Sequence, residues 1–184
     1  MRLDTSIPVL GFVAASGTGK TTLLTQLITS LHALQLRVGL IKHSHHDFEV
    51  DYPGKDSYRL RHAGASSVLL VSPFRRVIID EFTAHTEPDF ATQLALMEQR
   101  PLDLILVEGF KHAAIPKIEL HRDELQHPFY FPHDPQIIAV ASNSHLELPA
   151  QVRLLNLDQP DTCLQFILHW AQLTPHAITP VPKL

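Results

Sequence analysis

The chain has 184 residues, with 19 acidic against 15 basic side chains, a formal charge of −4 and 45% apolar residues, which is enough for one domain with a substantial core and too apolar for disorder. The acidic balance and a sequence pI near 6.3 exclude a protein that holds nucleic acid through a general excess of positive charge, so any phosphate must be bound locally. Cys163 is the single cysteine and cannot form an internal disulfide, no window approaches the ~18 apolar residues of a membrane span, and residues 1–8 lack the succession of a cleaved leader. The expectation is a cytoplasmic protein with neither nucleic acid nor membrane as partner.

Residues 9–14 form a short apolar run that ends in Ser16, Gly17, Thr18 and Gly19, after which Leu23, Leu24, Leu27, Ile28, Leu31 and Leu34 recur at three-to-four spacing. The first unit is therefore strand, glycine-rich loop and amphipathic helix, the helix running from 20 to about 35. Residues 37–42 are a second strand, which predicts a right-handed β-α-β unit of parallel strands. A polar stretch over 43–55 leads to a helix over 56–62, and the runs 67–71 and 76–80, separated by Ser72 and Pro73, read as a hairpin.

A helix over 87–99 with acidic residues in its first turn precedes an apolar strand over 102–107, and three more strands are expected at 116–120, 136–141 and 152–157. Residues 121–135, with Pro128, Pro132 and Pro135 among aromatics, read as an irregular surface loop. The last helix, 161–173, carries Cys163 among apolar neighbours as a structural thiol, and 174–184 is an extended tail. Strands alternating with helices point to a three-layer α/β fold with a mainly parallel sheet and an antiparallel hairpin, as one domain over 1–173.

The segment from Ala14 to Thr21 fits G-x-x-x-x-G-K-[ST] at every fixed position except the first, where Ala14 replaces glycine, and it has the strand before and helix after that a phosphate-binding P-loop requires. Ser16, Gly17, Thr18 and Gly19 let backbone N–H groups converge on phosphate oxygens beside a helix N-terminus. Lys20 is expected to reach the β and γ phosphates, Thr21 to place its hydroxyl on Mg²⁺, and Thr22 to meet the α phosphate. A carboxylate at the end of a neighbouring parallel strand completes such a site, and Glu108 supplies it, with Gly109 allowing close backbone approach. Asp47, Asp51 and Asp56, after the second strand, are further acidic candidates. Asn143 follows the 136–141 strand where a base-contacting loop would sit; no Asn-Lys-x-Asp element is present, so these residues alone leave ATP and GTP open.

Lys42, His43, Ser44, His45, His46 and Asp47 place three imidazoles and a carboxylate in one short segment. Such ligands suit Zn²⁺ or Ni²⁺, and equally an anionic ligand or a partner protein. The other ten histidines are scattered without ligand spacing.

With the glycine loop, Gly39 to Asp47, Pro53 to Tyr58 with Ala63 to Ala65, Leu102 to Lys111 and Ile138 to Ser142 in order along the chain, the sequence closely resembles the molybdopterin-guanine dinucleotide biosynthesis protein B family, MobB. The resemblance implies a P-loop fold, GTP and Mg²⁺ as ligands, a homodimer, and weak GTPase activity at most. It implies an adapter role beside the guanylyltransferase that joins GMP to molybdopterin, with the molybdopterin cofactor itself as a further partner. By position, residues 17–22 bind phosphates, Thr21 and Glu108 serve the metal, and His43, His45, His46, Asp47, Lys55 and Asp56 line the nucleotide or partner side. The chain has Asn143 where the resemblance places an aspartate. Two other classes are carried beside it: a metal-insertion GTPase of the hydrogenase or urease maturation type, built on the histidines, and a small-molecule P-loop kinase with Arg75, Arg76 or Arg122 in a lid.

Overall fold

In a computed structural model of the chain, covering residues 5–44, 46–84 and 87–174, the first apolar run is β1 (Val9–Ala14), buried along its whole length. It is apolar on both faces because both are covered. Leu10, Phe12 and Ala14 face Leu23, Leu24, Leu27 and Leu31 of α1 (Lys20–Ala33) and Cys163, Leu164 and Ile167 of α4 (Pro160–Trp170). Val9 joins a second cluster with Leu94, and Val13 a third with Ile137 and Val140. Helices on one side and a helix with an aromatic loop on the other make the three layers.

The sheet has six parallel strands in the order β2-β5-β1-β6-β7-β8, where β2 is Val38–Lys42, β5 Leu104–Glu108, β6 Lys117–His121, β7 Ile137–Ser142 and β8 Arg153–Asn156. The expected β-α-β unit is parallel, but β1 and β2 are not neighbours: β5 lies between them. The burial pattern gives the reason. All five residues of β5 are buried, so it takes the interior place beside β1, whereas β2 alternates between buried and exposed and suits an edge.

Two expectations are corrected. The third helix, α3 (Phe90–Glu98), starts later than residue 87 and has no acidic residue in its first turn. Asp89 is its cap instead, the carboxylate accepting the Thr92 N–H at 2.9 Å and its hydroxyl at 2.8 Å, which holds that carboxyl below its ordinary pKa. The segment after β6 is not simply a surface loop either. Phe129, Tyr130 and Phe131 pack against Val13, Ile137 and Val140, and two backbone donors, the N–H groups of Tyr130 and Phe131, reach the buried Glu119 carboxylate at 2.8 Å each. His121, read as the start of that loop, is the buried last residue of β6 and stacks on Phe129.

The described chain divides into two units: residues up to His43 with those from Asp89 onward, and Ser44–Pro88. In the second unit α2 (Asp56–His62) precedes the hairpin of β3 (Ser67–Val71) and β4 (Arg76–Asp80), paired antiparallel with Leu69 opposite Ile78. Arg61 forms ion pairs with Glu49 and Glu81. No helix among the described residues is long and apolar enough to cross a membrane.

Candidate functional site

The phosphate loop turns from the end of β1 into α1. Thr18, almost fully buried, donates its hydroxyl to the Ala15 carbonyl at 2.7 Å and braces the loop from within. Gly19 caps α1 at φ 94°, a left-handed conformation that a side chain would strain. Because Gly19 brings no side-chain cap and the first turn of α1 holds no acidic residue, the leading amides of the helix are left to an outside acceptor. Ser16, Gly17, Thr21 and Thr22 are exposed around that terminus. The arrangement suits an anion, with the helix dipole behind it.

Strand register brings the carboxylate to the same place. Glu108 ends β5, opposite Phe12 of β1 on one side and Lys42 of β2 on the other. Lys20 Nζ lies 2.5 Å from Glu108 Oε1, and Lys42 Nζ 3.5 Å from Oε2. Burial works most strongly on this carboxyl, against ionisation, but the Lys20 hydrogen bond and charge with the Lys42 charge together outweigh it, so the pKa lies below the usual carboxylate value. Two ammonium groups around one carboxylate leave a net positive cradle at the loop. Thr21 and Glu108 offer a hydroxyl and a carboxylate, the hard oxygen donors that Mg²⁺ takes when phosphates and water complete its shell.

Gly109 and His43 close this end of the sheet. Gly109 has φ 90°, and a Cβ there would lie 2.7 Å from the His43 Cβ and 3.1 Å from its carbonyl, so glycine is required on both counts. The His43 N–H donates to the Glu108 carbonyl at 2.8 Å, and its ring stacks on Phe110 with centroids 4.5 Å apart. His43 is thereby a half-buried wall residue. His46, Asp47 and Asp56 lie in the second unit, exposed. There Asp47 accepts the Phe48 N–H and Asp56 pairs with Arg59 at 3.9 Å. His45 lies outside the described residues. Among the described residues no three His, Cys, Asp or Glu side chains converge as metal ligands.

Asn143 follows β7 as expected, with its Oδ1 accepting the Asp123 N–H at 3.2 Å and its Nδ2 donating to Glu124 at 2.7 Å. Arg122 is the residue whose position the sequence pattern did not foretell. Its Nε donates to the Thr18 carbonyl at 3.1 Å and its Nη1 to Asp158 Oδ1 at 3.3 Å. The usable signal was the one that found Glu108, a polar residue at the C-terminal end of a parallel strand.

The sequence model of the molybdopterin guanine dinucleotide synthesis protein B family, MobB, matches residues 9–143. The chain belongs to the MobB family. It is 47% identical over 169 residues to the molybdopterin-guanine dinucleotide biosynthesis adapter protein of Escherichia coli strain K12, covering 91% of this chain and 95% of that one. The corresponding adapter protein of Haemophilus influenzae is 42% identical over 91% of this chain and 92% of its own length. Solved MobB structures share the fold. A MobB homologue from Bacillus stearothermophilus superposes with a TM-score of 0.67 at 23% identity, covering 89% of this chain and 97% of its own. Bacillus subtilis MobB gives 0.68 at 18%, covering 89% and 97%. As a MobB member the chain has the P-loop α/β fold expected of it, with the main sheet wholly parallel.

Proposed function

We propose that this MobB-family chain is an adapter in molybdopterin-guanine dinucleotide biosynthesis, binding GTP with Mg²⁺ and serving the guanylyltransferase that joins GMP to molybdopterin. The observation that carries it is the uncapped N-terminus of α1 with Lys20 and Glu108 paired beside it, in a chain of 47% identity to a protein named as that adapter. Lys20 would turn from Glu108 to the β and γ phosphates when a triphosphate enters, which frees the carboxylate for the metal side. Mg²⁺, held by Thr21 and Glu108, would neutralise phosphate charge. Ser16 to Thr22 hold the phosphates, and Gly109 with His43 closes the neighbouring strand ends. His45, His46, Asp47 and Asp56 are proposed on the nucleotide or partner side, and the molybdopterin cofactor as a further partner. The site belongs to one nucleotide-binding domain over 1–173, in a cytoplasmic setting.

Among the described residues no side chain at this end of the sheet is set as a strong general base. Hydrolysis is therefore expected below ~0.1 per minute, in the range of a P-loop GTPase without an activating partner. The homodimer is supported by the hairpin, where Leu69, Val71 and Ile78 share one exposed apolar face. The adapter role is tested by co-purifying tagged chain with the guanylyltransferase in the presence of GTP. Retention that is lost in Lys20→Ala supports it; no retention with any nucleotide overturns it.

A further inference from the structure

At the C-terminal edge of the sheet, the residues following β6 stitch three loops together. Arg122 holds the phosphate loop through the Thr18 carbonyl and the loop after β8 through Asp158, while the Asp123 N–H holds the loop after β7 through Asn143. Asn143 has both ends of its amide engaged in this turn. Asp158 stands differently. Its side chain is 60% exposed, its backbone N–H is fixed by Asn156 Oδ1 at 2.9 Å, and Oδ2 has no hydrogen bond among the described residues. One guanidinium separates it from the phosphate loop. An open groove of about 920 Å³ runs past β7 and β8, lined among others by Asn143, Ser144, Asn156 and Thr162, two of which flank the turn that carries Asp158.

We propose that Asp158 reads the nucleobase and that Arg122 is the positioning residue that aims it, so that guanine selectivity comes from the ends of β8 and β6 rather than from Asn143. The proposal rests on the nucleotide-binding reading above. A carboxylate has about four lone-pair sites, so Asp158 can keep its Arg122 contact and still accept from guanine N1–H and the 2-amino group. Adenine presents an unprotonated N1 and no 2-amino group, and that nitrogen would face the carboxylate lone pairs. The planar guanidinium adds a surface on which a purine can stack.

The test is calorimetric titration of the full chain with GTP, xanthosine triphosphate and ATP, each with Mg²⁺. In Asp158→Asn one acceptor for N1–H remains and the other becomes an amide donor, which suits the 2-carbonyl of xanthine. Expected is a loss of roughly tenfold or more in GTP affinity, one hydrogen bond to a charged group, and a gain for xanthosine triphosphate that reverses the preference. Arg122→Ala should reduce the ratio of GTP to ATP affinity, and Arg122→Lys should restore part of it, which a role confined to bracing the loop would not do. An Asp158→Asn chain with an unchanged preference, while Lys20→Ala still abolishes triphosphate binding, overturns this proposal and leaves the nucleotide reading standing. A wild-type chain that binds no triphosphate, or binds GTP and ATP alike, removes both.

Discussion

Lys20 is the side chain on which the proposed nucleotide site turns. Its ammonium neutralises Glu108 at 2.5 Å; in the proposed nucleotide site the more highly charged phosphates would draw it from a single carboxylate already shared with Lys42. Replacing Lys20 by alanine strips a charge-assisted contact, and triphosphate affinity should fall by at least ~2 kcal/mol, about thirtyfold. Calorimetry checks this, and unchanged affinity would refute the site. Cys163 sits at the opposite extreme. It is fully buried in α4, and burial pushes its thiol up to about 11, so at neutral pH it is neither ionised nor reachable. Folded chain should stay unlabelled by iodoacetamide and react once urea unfolds it; labelling of the folded chain at the rate of a free thiol contradicts this. Of the residues proposed for the site, Ala14 to Thr22, Glu108 and Gly109 were legible in the sequence because their chemistry is tied to a loop and a strand end. Arg122 was legible there only as a lid arginine and Asp158 not as a site residue, because the roles proposed for them depend on which strands are neighbours.

At the scale of elements, β6 and the aromatic loop form one structural device. Glu119 is buried and desolvated, and desolvation raises its pKa against the two backbone N–H groups that favour the charge. Lys117 is buried with Asp134 at 2.8 Å. These polar groups anchor residues 130–134 to the strand next to β1, so the loop's aromatics are held over Val13 and Val140. Glu119→Ala would leave two part-buried backbone donors without their acceptor, at about 1–3 kcal/mol each if water does not replace it; urea unfolding should show a loss of at least one such bond. A loss under ~0.5 kcal/mol would mean the loop is not held by the carboxylate. The sequence could not show this, since three prolines among aromatics look like a solvated loop until a buried strand polar group is seen to accept their amides. The strand assignments themselves were legible from apolar runs, whereas the insertion of β5 between β1 and β2 is a property of the whole sheet. The hairpin bears on assembly: Leu69→Asp with Ile78→Asp should convert a dimer to a monomer in light scattering. A wild-type monomer, or a double variant that remains dimeric, removes that face from the account.

For the whole molecule, Glu108 and Glu119 give opposite signs in stability against pH. Glu108 has a folded pKa below its unfolded value, so its contribution is present above the ordinary carboxylate range and is lost as pH falls through the depressed value. Glu119 has a raised folded pKa, so its contribution is full below the ordinary carboxylate pKa and diminishes as pH rises through the raised one. Urea unfolding from pH 3 to pH 7 should show the stability gap between wild type and Glu108→Gln closing on the acid side; a gap that does not change with pH contradicts the pairing with Lys20 and Lys42. The formal charge of −4 is no obstacle to phosphate binding, because loop amides, one helix terminus and two lysines concentrate positive field at one end of the sheet. That local field would hold the phosphates, with the proposed base site beside it. Its most direct measurement is a calorimetric titration of the wild-type chain and of Lys20→Ala with GTP and with ATP in Mg²⁺. GTP should bind roughly tenfold or more tightly than ATP, about 1.4 kcal/mol, and both should be lost together in Lys20→Ala. Equal binding of the two nucleotides, or binding that survives the substitution, would contradict it.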